Sequence, residues 1–297
     1  MESGINEFKE GLLNTLKEIA YPLVAIFISV IAGGILVYSF GNDPIVAYTA
    51  MIKGSLGDWN KFGETLVTVT PLILTGLSIT FAFKCNLFNI GVEGQFIIGA
   101  ITAVWAGWAF AGLPATLHLT LTLLAGAAAG GLWASVIGWL KAKVGSHEVI
   151  NGIMMNYIAM YTSNFLVRTA LNIPGKAYSV EIADTAKLWR FSQAFEQFKH
   201  SRLHIGIIFS LIAALAAYYI LNKTVRGYEI RAVGLNPHAA EYGGISVRKN
   251  IVLSMIVSGL FAGLAGSIMT MGVQYRVNNL FGFTGYGLDG IAVALVG

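Results

Sequence analysis

Seven separate apolar runs, each about long enough to cross a bilayer, restrict what this chain can become. They are Pro22–Phe40, Thr65–Phe83, Phe96–Leu113, Ala115–Leu140, Ile150–Leu171, Ile205–Leu221 and Ile251–Gly272. Spanning the hydrocarbon core as a helix takes about 20 such residues. Of the 297 residues, 56% are hydrophobic and 11% charged, whereas a soluble domain needs about a quarter charged. The expected fold class is therefore all-α, a polytopic transmembrane helical bundle. An eighth run opens near Ile291 and stops at Gly297. Seven residues do not cross a bilayer, so the bundle is expected to be C-terminally incomplete. Met1–Tyr21 mixes acids with lysines, too polar for a cleavable leader, and Pro22–Phe40 is expected to be a retained first span.

The formal net charge is +4. Because the basic residues sit between apolar runs, they are expected to meet anionic headgroups of the lipid bilayer, with no nucleic acid as partner. The single cysteine, Cys85, allows no internal disulfide. No clustered His/Cys/carboxylate set suggests a metal, and no cofactor is expected. The chain has no GxxxxGK[ST] loop, no GxSxG elbow, and no second His at zinc spacing after His147-Glu148. Intramembrane acids are too few for a proton relay. No catalytic residue is expected, and the chain reads as a transport subunit with its motor elsewhere, not an enzyme. Self-contained coupling to an ion gradient remains a rival.

Four polar connections matter. Gly41–Glu64 reads as a mixed loop, Lys141–Glu148 as a short basic one, and Asn172–Leu203 as a long charged, aromatic segment with short helices of its own. Asn222–Asn250 is the other long one. With the N-terminus inside, Lys84, Lys141, Lys143, Lys223, Arg226, Arg231, Arg248 and Lys249 fall inside, while Lys53, Lys61, Lys176, Lys187, Arg190, Lys199 and Arg202 fall outside. The balance is near even, and the tight Lys141/Lys143 pair tips it toward N-inside.

A local repeat stands out. Gly91-Val-Glu93-Gly94 opens one apolar run and Gly287-Leu-Asp289-Gly290 opens the last. With the N-terminus inside, the two enter from opposite sides, the pattern of an inverted repeat. The first half-repeat would cover about 64–171, and the second would start near 250.

Glu93 is the sharpest single residue, set among Asn86, Asn89 and Gln95. An acid at membrane depth is costly and faces a cavity or finds a partner. One reading places it beside a translocation path; the other has it capping its own helix N-terminus. Asp289 invites the same pair of readings. Asn151 and Asn156 lie on one apolar helix without sharing a face cleanly, and such groups bind a hydroxylated solute or hydrogen-bond a neighbouring helix. Gly126/Gly130 and Gly259/Gly263 have the spacing that lets helix backbones approach. In Thr224–Lys249, Asn236 is placed to cap a short helix opening at Pro237, with Gly243 and Gly244 beyond its end. Such a helix in a polar loop suits docking into a partner's groove.

FNIGVEGQFIIGA (Phe88–Ala100), GYEIRAVGLNPHAAEYGGISV (Gly227–Val247) and FTGYGLDGIAVALVG (Phe283–Gly297) closely resemble permease subunits of bacterial ABC importers for nucleosides. That group also holds permeases for ribose-type sugars and branched-chain amino acids. The resemblance runs through most of the chain. It implies a single permease domain over 1–297 with two inverted halves, placed multi-pass in the bacterial cytoplasmic membrane with a cytoplasmic N-terminus. It implies as partners cytoplasmic ABC ATPase subunits, a second related permease, an extracytoplasmic solute-binding lipoprotein and a nucleoside substrate. Residues 222–249 would be a cytoplasmic coupling loop, with Gly227, Glu229, Arg231, Gly234, Asn236, Pro237, Ala239, Tyr242 and Gly243 serving the ATPase contact. Asn86, Asn89, Glu93, Gln95, Asn151, Asn156 and Asp289 would belong to the substrate pathway. A simple sugar such as ribose is the alternative cargo. Members of this group continue past the equivalent of Gly297 with further helices.

Overall fold

The computed structural model describes residues 2–296, and side chains from residue 20 onward. Among these residues the regular structure is helical, with only isolated β-bridges besides. Two compact units emerge, one of residues up to Phe62 together with Val296, the other Gly63–Leu295.

The first unit is a helical hairpin. α1 runs Glu2–Ser39 and α2 runs Pro44–Leu56. Gly41 turns the chain with φ +79°, Asp43 accepts from Ile45 N–H at 2.8 Å, and Pro44 starts α2. A proline at the first helical position loses no hydrogen bond. The Tyr48 hydroxyl donates to the Val30 carbonyl at 2.5 Å, closing the hairpin. The expected mixed loop Gly41–Glu64 is thus mostly helix. Its Asp-Pro opening is a helix start that its polar composition disguised.

The second unit carries α3 (Trp59–Phe83), α4 (Val92–Ala109), α5 (Ala115–Val144), α6 (Glu148–Arg168), α7 (Gly206–Lys223), α8 (Val225–Leu235), α9 (Pro237–Tyr242), α10 (Val247–Met269, continued by a π-turn to Gln274) and α11 (Tyr286–Val296). α4, α5 and α10 form its centre. α5 and α10 run antiparallel along a seam of small residues. A Cβ on Gly130 would lie 2.5 Å from the Gly259 carbonyl oxygen, and one on Gly263 would lie 2.4 Å from that of Gly126. The two small-xxx-small pairs therefore face each other, and Gly99 of α4 closes on Gly263 from the third side. Without a hydrophobic drive between helices in lipid, close backbone packing of this kind holds them together. Large apolar side chains such as Leu124, Leu132, Leu211 and Leu215 point outward, as a lipid-facing surface requires.

Among the described residues, five segments are long and apolar enough to cross a membrane: Ala20–Ser39, Trp59–Phe83, Ala115–Val144, Gly206–Lys223 and Val247–Gln274. α4 and α6, expected as spans, are full helices but fall outside this group. α4 opens on Glu93 and Gln95 and is buried along nearly its whole length. A helix walled in by other helices has no need of a lipid-matched surface. α6 carries Glu148, Asn151, Asn156 and Asn164, three of which bond neighbouring segments.

Residues 169–205 are an ordered cap. The segment bonds along the chain after α10: Ser179 N–H to the Val277 carbonyl, Ile182 N–H to Tyr275, and Leu188 N–H to Met271. Tyr275 has φ +60°, and the Lys187 and Arg190 cations lie over its ring at 4.6 and 5.0 Å. Arg202 clasps Glu64 through its backbone N–H and guanidinium. His204 accepts from Gly206 N–H at 3.1 Å and is buried. Burial, with the Arg190 cation second, lowers its imidazole from 6.5 to about 4.

Two outcomes follow from this packing. Gly263→Ala should destabilise the detergent-solubilised protein by about 2 kcal/mol through forced overpacking, while Gly112→Ala, with open space around it, should not; thermal melts of the two variants check this. For His204, stability is full above about pH 6.5. It falls as the pH drops toward 4, because the unfolded chain takes up a proton that the folded one refuses. Between pH 7 and 5 the wild-type should lose about 2 kcal/mol that His204→Gln does not, read as a flatter melting-temperature profile.

Candidate translocation core and coupling segment

The polar residues after α3 converge on one point, where the starts of α4 and α11 cross. α3 ends at Phe83, and the chain turns through Asn86 at φ +56° before α4 opens at Val92. Glu93 sits in the first turn of α4 and is fully buried. Its carboxylate does not cap its own helix. It accepts from the Thr284 N–H and hydroxyl (2.6 Å for the latter), from Gly285 N–H at 3.1 Å, and from Gly287 N–H at 2.7 Å. These four donors surround the start of α11, whose first-turn N–H groups otherwise lack partners. The carboxylate also meets the positive end of the α11 dipole. A Cβ on Gly287 would lie 2.5 Å from the Glu93 backbone nitrogen, so only glycine permits the crossing. Tyr286 stacks on Phe96 at 5.3 Å and fixes the same junction.

Neighbouring amides complete the support. Asn156 of α6 donates to the Ile90 carbonyl at 2.9 Å and accepts from Gly94 N–H at 2.7 Å, holding the turn that leads into α4. Asn89 and Gln95 bond reciprocally at 3.0 and 3.1 Å. Asn89 also donates to the Ser258 hydroxyl at 2.7 Å, and Ser258 in turn bonds the Ser78 carbonyl at 2.6 Å. This buried chain ties α3, α4 and α10 together, and each side chain in it has a partner.

The structure thus gathers Asn89, Glu93, Gln95 and Asn156 around the start of α4, bonded to protein. It leaves the other three expected pathway residues apart. Asn86 is exposed and lines a cavity of about 510 Å³ with Tyr228, Arg231 and Leu235, on the side of α8. Asn151 donates to the Ser146 hydroxyl at 2.6 Å, at the opening of α6. Asp289 lies on the exposed side of α11. Sequence reasoning missed Ser78, Ser258, Thr284 and Asn164. Asn164 bonds both backbone groups of Leu280, and Tyr157 packs on Phe283 at 4.9 Å, so α6 holds the segment before α11 as well. A serine inside an apolar run carries no signal of its distant partner.

In the segment after α7, Thr224 caps α8 by accepting from Gly227 N–H, and Asn236 caps α9 by accepting from His238 and Ala239 N–H, both at 3.1 Å. The expected coupling residues divide into two sets. Gly227 and Gly234 are contact glycines, since a Cβ would meet the Ile220 carbonyl oxygen at 2.1 Å or that of Lys84 at 2.2 Å. Glu229 pairs with Arg226 at 2.9 Å and accepts from Asn250. Arg231 is half-buried beside Asn86, and Pro237 opens α9. Ala239 and Tyr242 face outward, and Tyr242 is 97% exposed. Gly243 has φ −75°, an ordinary value, whereas Gly244 takes the left-handed turn at +82°. The glycine that the turn requires is therefore Gly244.

A fully buried acid that bonds the start of a second helix, inside an apolar helical bundle, suits a membrane-transport subunit. The chain belongs to the family described as branched-chain amino acid transport system / permease component, which matches residues 62–297. It is 45% identical over 287 residues to the guanosine ABC transporter permease protein NupP of Bacillus subtilis, covering 96% of this chain and 81% of that protein. It is 35% identical to the nucleoside ABC transporter permease protein NupB of Lactococcus lactis, with 96% and 79% covered. With the glucose ABC transporter permease protein TsgB13 of Haloferax volcanii it shares 31%, with 93% and 74% covered. No solved structure matches.

Glu93→Gln replaces one acceptor oxygen by a donor that faces other donors. It should cost about 2–3 kcal/mol and lower folded yield and transport together. Loss of transport with an unchanged melting curve would instead place Glu93 in contact with solute.

Proposed function

We propose that this chain is the permease subunit of an ATP-driven importer for nucleosides and supplies half of the translocation pathway. The observation that carries this is the 45% identity to a guanosine permease along 96% of the chain. In this reading the N-terminus is cytoplasmic, and the bundle pairs with a second related permease. Cytoplasmic ATPases hydrolyse the nucleotide, and a solute-binding protein delivers the cargo on the other side. α8 and α9 are the coupling segment, within 222–249. In support, Val225, Tyr228, Leu235 and Tyr242 are large apolar side chains left exposed in an otherwise polar stretch, a surface suited to burial against a partner.

Asn89, Glu93, Gln95 and Asn156 act on the path from behind, by fixing how α4 and α11 start. Solute meets the exposed side of α6 and α11 instead, where Tyr157, Tyr161 and Asp289 offer aromatic faces and a carboxylate. Aromatic faces stack on nucleobases, each contact contributing about 1–3 kcal/mol in nucleic-acid binders. Coupling is conformational: closure of the ATPases shifts α9, and Gly227 and Gly234 pass that shift to α7 and to the turn at Lys84.

The glucose permease relative favours a second reading, in which the same machine carries a sugar. Uptake of labelled guanosine and uridine, in cells with and without the gene, separates the two. Loss of uptake on deletion, undisturbed by excess glucose or ribose, is expected; competition by sugar would move the cargo to the second reading. Ala239→Asp should leave the protein in the membrane and lower uptake more than tenfold, since one desolvated charge at a docking face costs several kcal/mol. Undiminished uptake would remove α9 from the coupling role.

A further inference from the structure

At the α8 end of the second unit, a groove opens between α5 and α10 beside the coupling segment, which lends it Arg226, Arg248 and Lys249. Its cavity, about 620 Å³, is lined by Lys143, Arg226, Arg248 and Lys249 at one end and by Trp139, Val252, Leu253 and Ile256 at the other. No carboxylate lines it. Glu229 reaches Arg226 at 2.9 Å, and Glu148 engages Lys141 nearby at 2.8 Å. Lys143, Arg248 and Lys249 make no ion pair among the described residues. Lys143 lies over the Trp139 ring at 5.0 Å.

Helix periodicity continues the apolar wall into the span. On α5, Leu132, Val136 and Trp139 recur at helical spacing and are exposed; on α10, Val252, Ile256 and Leu260 do the same and are half-buried. The antiparallel packing of the two helices, with Gly138 against Val252 and Met255 and Gly131 against Leu260, makes these two stripes the walls of one furrow. We propose that this groove binds an anionic phospholipid, with its phosphate among Lys143, Arg226, Arg248 and Lys249 and an acyl chain along the furrow.

Three observations favour a lipid over a docked protein. The cations and the apolar wall are continuous, which fits an amphiphile with a charged head. The furrow runs along segments apolar enough to lie within the bilayer, where a soluble partner does not follow. Trp139 sits at the change from apolar to basic, the level that tryptophan prefers at a membrane interface. Basic pockets between membrane helices are a recurrent way of holding anionic headgroups.

Native mass spectrometry of the protein purified in nonionic detergent tests the proposal, using phosphatidylglycerol and phosphatidylcholine with identical chains. Phosphatidylglycerol should be retained and phosphatidylcholine not. The double variant Arg248→Gln with Lys249→Gln should weaken retention roughly 30-fold, at about a factor of five per cation. Lys199→Gln, in the cap over residues 169–205, should leave it unchanged. Should the double variant aggregate, Lys143→Gln decides the same point with about a fivefold loss. A third arm adds inorganic phosphate at equal concentration. Equal retention of both lipids, retention unaffected by the variants, or displacement by phosphate alone would each overturn the proposal.

Discussion

A carboxylate sunk among membrane helices survives only if donors surround it, and much of this bundle is arranged to bring donors to Glu93. Four of them come from the stretch Thr284–Gly287, nearly two hundred residues along the chain. Irregular backbone at depth is tolerated only where protein satisfies it, and here one side chain satisfies the entry to α11 while sitting in the first turn of α4. The demand spreads outward. Gly287 must be glycine for the two starts to approach, Asn156 must hold the turn before Glu93, and Asn164 must hold the turn before Thr284.

Most of the helices were legible in the sequence because apolar length is a strong local signal, and the family was legible in three short motifs. Asn236-Pro237 announced α9 for the same reason: a cap and a proline act on their immediate neighbours. What sequence could not supply was pairing across the chain. Of the two readings that Glu93 left open, the cap of its own helix gives way to a cap of α11, a partner nearly two hundred residues away. The polar pair Asn89–Gln95 has a local half, six residues apart, and a distant half in Ser258. α2 was hidden by its lysine and glycine, which blur an apolar period over only 13 residues. That α4 would be buried along nearly its whole length while α6 exposes Ile150, Met154, Ile158 and Phe165 was not legible either, because a run of apolar residues does not say whether lipid or protein will cover it.

The same logic sorts the residues of the α8–α9 segment. A sequence motif marks positions without saying what each residue does. Gly227 and Gly234 are constrained inward by contacts too tight for any side chain, Glu229 by its hold on Arg226 and Asn250, and Gly244 by its left-handed backbone. Ala239 and Tyr242 carry no such internal duty and face outward.

The glycine seam has a mechanical meaning as well as a cohesive one. Where Gly130 meets Gly259 and Gly263, and Gly263 meets Gly99, backbone lies on backbone with no rotamer between them to give way. Such a joint is stiff, because any sliding drives main-chain atoms together before a side chain can swing aside. α4, α5 and α10 therefore behave as a rigid keel. The start of α11 is joined to that keel in the same way, since Gly287 rests on the Glu93 backbone of α4. A bundle built this way moves in blocks: the keel and the crossing seated on it shift together or not at all.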